Sequence, residues 1–370
     1  MRVLAIAPQE VVLNHFRTIA LLSPEVEWDV VVVSKTPHDE PMSWARRVHH
    51  LGLGYSRLIP EPPPAVPSEV DERVFAYEIA CAEMRAPELK WYIDNYWDVC
   101  QDGCQRLTNH LLDRVADCDC VVLWGERCWY NVVARTVADS ASKPVLYLER
   151  AAFPGMLVAD RRGLDQDTSE VTEAYANNPW GECEEREFNA WAPIAAQSTI
   201  EPQRGDTLGE VLAGPAGGGV NILVPLQVPY DTNMIFRLGD VGGNMELVED
   251  VVHNRSDDSR VLVKMHPRDH FSDRDRVFWS CHKLGATLVD YGLPNLLDAS
   301  DHVVSLNSQV VIDAALRQVS FGLLARAGFM PNIPPEDLDV RRWLHTLRFR
   351  YYVGPHQVQD RIREAIACQT

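Results

Sequence analysis

Short apolar runs alternate with helical stretches along the whole chain, and this alternation constrains the fold more than any other feature. The run Asp29–Val33 is almost continuous valine, as in a strand that is buried on both faces of a parallel sheet. Strands are predicted in the first half near 3–7, 28–33, 120–124 and 145–148, and in the second half near 221–224, 261–265, 287–289, 302–305 and 320–324. The alternation predicts an α/β protein in which helices cover both faces of parallel sheets.

Helical patterns fill most of the segments between these strands. They are predicted near 14–22, 41–51, 70–80, 91–115, 131–141, 245–253, 277–284, 293–299, 309–317 and 357–368. The proline-rich segment 59–67 is incompatible with a helix or a central strand, so it is predicted to be an extended surface loop.

A chain of 370 residues exceeds what one hydrophobic core usually supports, so two domains are expected. The composition shifts to proline, glycine and polar residues at 201–220, which predicts a linker. Its glycines precede a strand, whereas a dinucleotide-binding loop follows one. We therefore expect an N-terminal Rossmann-like domain at 1–200 and a second at 221–350. The tail 351–370 is expected to pack back on the first domain.

Composition limits the partners and the location. The net charge of −18 disfavours a nucleic acid, and it also disfavours docking on anionic lipid through a polybasic patch. No apolar stretch approaches the length of about 20 residues that spans a membrane, and the N-terminal apolar run is too short for a signal peptide. A cytoplasmic protein is expected, either free or peripherally at the inner face of the membrane. The nine cysteines lack zinc-site spacing, so no metal is expected.

Three predicted strands of the second half end in loops that carry chemically useful side chains. The first loop contains Gln227 and Asp231, the second contains Lys264 and His266, and the third begins at Ser305. Ligands of parallel α/β sheets bind at the carboxyl ends of strands. These loops offer a carboxylate, a cation with an imidazole, and hydroxyls before a helix. Together they predict a site that holds an anionic leaving group and attacks the carbon attached to it.

Each of these residues also has a structural interpretation. Asp231 is a nucleophile, a base or the N-cap of a following helix. His266 either protonates a departing phosphate or marks a turn before Pro267. Ser305, Asn307 and Ser308 bind a phosphate at the start of the helix, or a serine simply caps it.

Two strand ends of the first half carry acids beside arginines. Glu126 and Arg127 follow the strand that ends at Trp124, and Glu149 and Arg150 end the next strand. Either glutamate is a candidate general base for an acceptor hydroxyl. The alternative is a pair of opposite charges at the rim, which contributes little energy.

The order and spacing of these motifs resemble the capsule polysaccharide biosynthesis family, and within it the retaining β-Kdo glycosyltransferases that use CMP-Kdo. The resembling stretches are Trp124-Gly125, Lys143–Glu149 with Pro154, Pro225–Asp231, Lys264–Pro267 and Asn307–Leu316. The chain departs from the family pattern after Ser308, where Gln309, Val311 and Asp313 stand, and after Glu149, where Arg150-Ala151-Ala152-Phe153 replaces a glycine-rich turn.

The resemblance implies a GT-B-like fold in which two Rossmann-like domains face a central cleft. It implies that Asp231 attacks the anomeric carbon of Kdo and that the acceptor hydroxyl then opens the covalent adduct, with net retention. His266 would assist the departing CMP phosphate, and Glu149 would serve the acceptor. The donor-binding residues would be Gln227, Lys264, Ser305, Asn307 and Ser308, whereas Glu126, Arg127 and Arg150 would lie on the acceptor side.

The resemblance further implies a nucleotide-sugar donor, a saccharide or lipid-linked saccharide acceptor, and no cofactor beyond the donor substrate. The pathway would be capsule or lipopolysaccharide synthesis. Two alternatives remain open. One is a GT-B transferase that uses CMP-sialic acid or a UDP-sugar, and the other is a non-catalytic subunit that binds a nucleotide sugar.

Overall fold

The computed structural model describes residues 1–7, 10–33, 43–51, 96–126, 128–164, 168–198, 219–229, 234, 242–269 and 272–368. The chain forms two compact units. The first consists of Met1–Ala151, Gly155–Glu170 and Phe349–Thr370, and the second consists of Ala152–Pro154 and Val171–Arg348. Each unit is built on one sheet.

The described strands are β1 (Arg2–Ala7), β2 (Glu27–Val32), β3 (Arg47–His50), β4 (Cys120–Trp124), β5 (Val145–Arg150), β6 (Leu157–Asp160), β7 (Asn221–Pro225), β8 (Arg260–Lys264), β9 (Thr287–Leu288), β10 (His302–Ser305) and β11 (Ser320–Leu323). The described α-helices are α1 (Glu10–Leu21), α2 (Tyr96–Ala116), α3 (Trp129–Ser140), α4 (Val171–Ala176), α5 (Glu182–Ser198), α6 (Asn244–Asn254), α7 (Arg274–Leu284), α8 (Leu293–Asp298), α9 (Val310–Leu316), α10 (Val340–Thr346) and α11 (Val358–Ala367). Short 3₁₀ turns at Pro335–Asp337 and Pro355–Gln357 and a π-helical turn at Leu347–Tyr351 connect the last helices.

The first sheet has the strand order β3-β2-β1-β4-β5-β6. Strands β1 to β5 are parallel, and β6 runs antiparallel to β5 at the edge. Residues of α1 and α11 share one core cluster with one face of the sheet, and residues of α2 and α3 share a second cluster with the other face. The order 3-2-1-4-5 is that of a Rossmann-like domain.

The second sheet has the order β11-β10-β7-β8-β9, and all its strands are parallel. Helices α6 and α7 cover one face of this sheet, whereas α8 and α9 cover the other. Read from β9, the order is again 3-2-1-4-5. Each unit thus contains a mostly parallel sheet of Rossmann order with helices on both faces. The predicted α/β class with two Rossmann-like domains is confirmed and is consistent with a GT-B-like fold.

The prediction of a helix at 41–51 was wrong. Residues 47–50 form the edge strand β3, which pairs in parallel with β2 from Asp29↔Arg47 to Val32↔His50. Val48 packs against the core, and the Arg46 guanidinium donates to the Asp29 carboxylate. These residues form a strand because they pair with β2, which is distant in the sequence. A short apolar pattern carries no information about such pairing. The predicted helix 70–80, the loop 59–67 and most of the linker 201–220 lie outside the described residues.

Helices α4 and α5 lie in the second unit, although they precede the predicted linker and stand within 1–200. The Asn178 amide between them donates to Thr346 of α10 at 2.9 Å, and buried His345 of α10 lies 3.1 Å from the Glu187 carboxylate of α5. Contacts between residues about 160 positions apart therefore set this boundary. Helix α11 packs on the first sheet through Val358 and Ile362, as predicted for the tail.

No helix among the described residues has the length and apolarity that crossing a membrane requires.

Candidate functional site

The three predicted loops of the second unit leave from neighbouring strands. Strand β7 lies between β10 and β8, and all three strands run in the same direction. Their carboxyl ends, at Pro225, Lys264 and Ser305, therefore stand at one edge of the sheet. The strand order reverses between β7 and β10, and ligands of open α/β sheets bind in the crevice at such a switch point.

A side-chain hydrogen bond spans the switch point. The Gln227 Nε2 donates to the Asn307 Oδ1 at 2.9 Å, and the Asn307 backbone N–H donates to the Gln227 Oε1 at 3.3 Å. The Gln227 backbone exchanges two further bonds with the Asn244 side chain, at 3.1 and 2.7 Å. Asn244 begins α6, so the loops after β7 and β10 and the start of α6 are held together.

The residues after β10 divide into buried and accessible ones. Ser305 is fully buried, and no described group bonds its hydroxyl oxygen. Asn307 is also buried and is engaged by Gln227. Ser308 is half-buried, and its Oγ accepts the Val310 N–H at 3.3 Å at the start of α9. A hydroxyl that accepts one hydrogen bond still has its O–H to donate, and Ser308 is the most accessible of the three residues.

Lys264 and His266 stand at the end of β8. Burial lowers the pKa of Lys264, and the carboxylate of Asp290 opposes that shift. The His266 Nδ1 accepts the Arg268 backbone N–H at 3.0 Å. In the neutral ring, the proton is therefore on Nε2. This arrangement makes the Nε2–H a hydrogen-bond donor of fixed orientation, two positions along the chain from the half-buried Lys264.

Asp231 and Arg127 lie outside the described residues. Pro229, two positions before Asp231, is the last described residue of the loop after β7. The role of Asp231 as nucleophile is therefore a prediction from the sequence.

At the carboxyl edge of the first sheet, Trp124, His15 and Arg150 form a cluster. The His15 ring stacks on the Trp124 ring, with centroids 4.4 Å apart and planes 2° from parallel. The Nε and Nη2 atoms of Arg150 lie 3.1 and 2.9 Å from the His15 Nε2. Burial lowers the pKa of His15, and the charge of Arg150 lowers it further. The neutral imidazole thus accepts from the arginine, and a flat aromatic surface lies beside a cation.

Glu149 and Glu126 are placed differently from this cluster. Along β5, Leu146 and Leu148 share a core cluster with α1, whereas Tyr147 faces α2 and α3. Strand alternation puts Glu149 on the face of Tyr147 and Arg150 on the face of α1. The Glu126 Oε2 accepts the Leu164 N–H at 2.6 Å, and its Oε1 lies 3.7 Å from the Arg135 guanidinium. Glu126 is therefore an anchor for the segment after β6.

Two site residues escaped the sequence analysis. His15 lies in the second turn of α1, where its spacing reads as part of an amphipathic helix, and Asn244 reads as an ordinary helix start. The strand order is the signal that would have pointed to His15. Helix α1, which follows β1, packs beside the end of β4 only when the strands have the Rossmann order. Among the described residues, no group of three His, Cys, Asp or Glu side chains is placed to hold a metal ion.

Comparisons with known proteins agree with this architecture. No curated protein matches the chain. Among solved structures, the chain is similar to the KpsC beta Kdo 2,7 transferase of Thermosulfurimonas dismutans, with 16% identity over 70% of this chain and 89% of that one, at a TM-score of 0.50. For the KpsC beta Kdo 2,4 transferase of the same organism the identity is 13%, over 67% and 87% of the two chains, at a TM-score of 0.46.

At 16% identity and a TM-score of 0.50, the likeness to the first of these structures shows a shared fold and nothing beyond it. A comparison with family models gives evidence from the sequence itself. Residues 184–330, which lie in the second unit, match the model described as capsule polysaccharide biosynthesis protein. This stretch contains all three loops, including Asp231. The predicted resemblance to the capsule polysaccharide biosynthesis family is confirmed over residues 184–330.

Proposed function

We propose that this chain is a glycosyltransferase that moves Kdo from CMP-Kdo to a saccharide acceptor with retention, in the synthesis of a capsule or lipopolysaccharide. The Gln227–Asn307 contact is the observation that carries the proposal, because it brings two of the three loops together at the switch point. The family match over these loops and the likeness in fold to a protein named as a Kdo transferase support it.

The donor phosphate is assigned to the second unit. Lys264 supplies a positive charge, His266 supplies its Nε2–H, and Ser308 supplies its hydroxyl proton. Three donors that converge on one anion stabilise the charge that develops on a leaving phosphate. Gln227 and Asn307 act by positioning the loops, and Ser305 lies behind them.

The reaction proceeds in two displacements. A carboxylate oxygen of Asp231 forms a bond to the anomeric carbon while the bond from that carbon to the CMP phosphate oxygen breaks, and the Nε2–H of His266 donates a hydrogen bond to the departing phosphate. The acceptor hydroxyl then attacks the same carbon, the bond to Asp231 breaks, and Glu149 takes the hydroxyl proton. Two inversions give retention. The proposal needs no metal, so chelators should leave the reaction unchanged.

The test is intact-protein mass spectrometry after incubation with CMP-Kdo and without acceptor. A mass gain of one Kdo residue is expected for the wild type and for Asp257→Ala, which changes an exposed aspartate of the same unit. The Asp231→Ala variant is expected to show no gain. An adduct that persists in Asp231→Ala would assign the nucleophile to another residue.

The same experiment separates the alternatives. CMP-Kdo that binds without forming an adduct would indicate a single-step transfer. Absence of CMP-Kdo binding, together with turnover of CMP-sialic acid or a UDP-sugar, would show that the donor is that nucleotide sugar and not CMP-Kdo. Binding that survives loss of Asp231, without turnover on any acceptor, would indicate a nucleotide-sugar-binding subunit.

A further inference from the structure

A cavity of about 330 Å³ lies in the first unit, between the start of β5, the end of α3, the segment after β6 and the end of α11. Four cationic side chains line it, together with two acidic ones: Arg135, Lys143, Arg161 and Arg162, and Asp139 and Glu170. The lining therefore carries a positive surplus, although the chain as a whole has a net charge of −18. A concave site with a net positive charge concentrates anionic ligands.

The cations are held by the fold rather than by flexible loops. The Asp160 carboxylate is fully buried and accepts the backbone N–H groups of Arg162 and Glu170, at 2.8 and 2.7 Å, as well as the Tyr351 hydroxyl at 2.9 Å. The Arg161 Nε donates to Glu170 at 2.6 Å. These bonds fix the segment that carries both arginines. A site whose groups are fixed in advance loses less entropy when its ligand binds.

The cavity contributes a neutral donor as well. Burial raises the pKa of Tyr147 well above its usual value, so its hydroxyl keeps its proton at all ordinary pH values. Guanidinium groups and hydroxyls are the donors that match phosphate oxygens, and arginine forms two parallel hydrogen bonds with them.

The cavity is separate from the cluster of Trp124, His15 and Arg150. Its walls include Val145, the first residue of β5, whereas Arg150 is the last. Five steps along a strand span roughly 16 Å. A ligand in the cavity therefore does not occupy the carboxyl edge of the first sheet.

We infer that this cavity binds a phosphate dianion, free or as a sugar phosphate, through Arg161, Arg162 and Lys143. The inference is independent of the proposed transfer of Kdo, since it uses none of the residues assigned to that reaction.

Cys368 provides a direct test, because it is exposed, lines the cavity and lies with its Sγ 2.9 Å from the Arg161 Nη1. Cys183 is exposed too and is not part of the lining, so it serves as an internal reference. The rate of alkylation by iodoacetamide is measured at both thiols by peptide mass spectrometry, in inorganic phosphate, in glucose 1-phosphate and in chloride of equal ionic strength.

Phosphate at ten times its dissociation constant leaves about one tenth of the sites empty, so alkylation of Cys368 should slow about tenfold. Cys183 should react at an unchanged rate. Arg162→Ala should abolish the protection, whereas Arg186→Ala, an exposed arginine of α5, should retain it. Protection at lower concentrations of glucose 1-phosphate than of phosphate would identify a sugar phosphate as the ligand, and equal concentrations would identify free phosphate.

Equilibrium dialysis with labelled phosphate gives the same comparison without depending on thiol reactivity. Equal alkylation in phosphate and chloride, with no bound label, would overturn the inference. Protection that survives in Arg162→Ala would overturn it as well.

Discussion

The side-chain amide of Gln227 donates to the side-chain carbonyl of Asn307 at 2.9 Å, across the point where the strand order of the second sheet reverses. The two residues are 80 positions apart, and each lies two positions beyond the end of its strand. Their contact fixes the spacing between two loops that carry the proposed donor site. The consequences can be measured.

Replacing Gln227 with alanine should weaken donor binding more than it weakens the fold. The variant loses two hydrogen bonds to Asn307, which should lower the free energy of unfolding by about 1–2 kcal/mol. The loops then lose their fixed spacing, so KM for the donor should rise while the transfer step is less affected. Gln105→Ala is the matched control, because Gln105 bonds Asn109 at 2.9 Å on the surface of α2. An equal rise of KM in both variants would contradict the positioning role.

Glu149 and Glu126 should respond differently to replacement by glutamine. Glu149→Gln should slow the opening of the adduct by the acceptor by about 10²–10⁴, the usual contribution of a general base. Glu126→Gln keeps an oxygen that can accept the Leu164 N–H but removes the charge that strengthens this bond, so it should cost about 1–2 kcal/mol of stability and leave that step nearly unchanged. Single-turnover kinetics of the isolated adduct separate the two. A larger kinetic loss in Glu126→Gln would transfer the role of base to Glu126.

Removing the ring of Trp124 should affect the acceptor and not the donor. Trp124→Ala deletes the surface on which His15 stacks and so releases the histidine that Arg150 contacts. We expect adduct formation at the wild-type rate and a rise of KM for the acceptor of about tenfold, equivalent to about 1.4 kcal/mol of lost contact. Trp124→Phe should recover part of the loss. Arg363→Ala, on the exposed side of α11, is the control. Slower adduct formation in Trp124→Ala would contradict the expectation that Trp124 affects the acceptor and not the donor.

His110 should make the first unit sensitive to acid. Burial, followed by the charges of Arg114 and His49, lowers the pKa of His110 from 6.5 to about 4. The His49 ring lies 5.3 Å away, and burial followed by the charge of Arg114 also lowers the pKa of His49, whereas Asp29 opposes that shift. The pKa of a histidine in the unfolded chain is about 6.5. At a pH below that value, His110 binds a proton when the protein unfolds but stays neutral in the folded state. Stability is therefore complete above that pH and declines as the pH falls toward 4.

Urea unfolding at about pH 8 and at about pH 5 measures this effect, since linkage applies between the two pKa values. The loss of stability between the two conditions should be smaller in His110→Gln than in the wild type. The carboxylates titrate in both proteins, so they cancel in the comparison. An identical loss in both proteins would show that His110 does not contribute.

The amino-acid sequence determined both the fold class and the loops that carry the proposed chemistry. Valine-rich runs such as that of β2 require burial on both faces, and regular alternation with helices then requires parallel sheets. The residues Gln227, Lys264 and Ser308 were predicted because polar side chains directly after buried strands stand at one edge of such a sheet. These are local signals, and they depend only on the period of the pattern.

Tertiary structure decided which of these residues meet and which face a ligand. The placement of β7 between β10 and β8 makes Gln227 and Asn307 neighbours, and it buries Ser305 beneath them. The stacking of His15 on Trp124 and the anchoring of the segment after β6 by Glu126 likewise depend on strand order. Strand order arises from long-range packing and hydrogen bonding between segments, and no local period of a sequence encodes it.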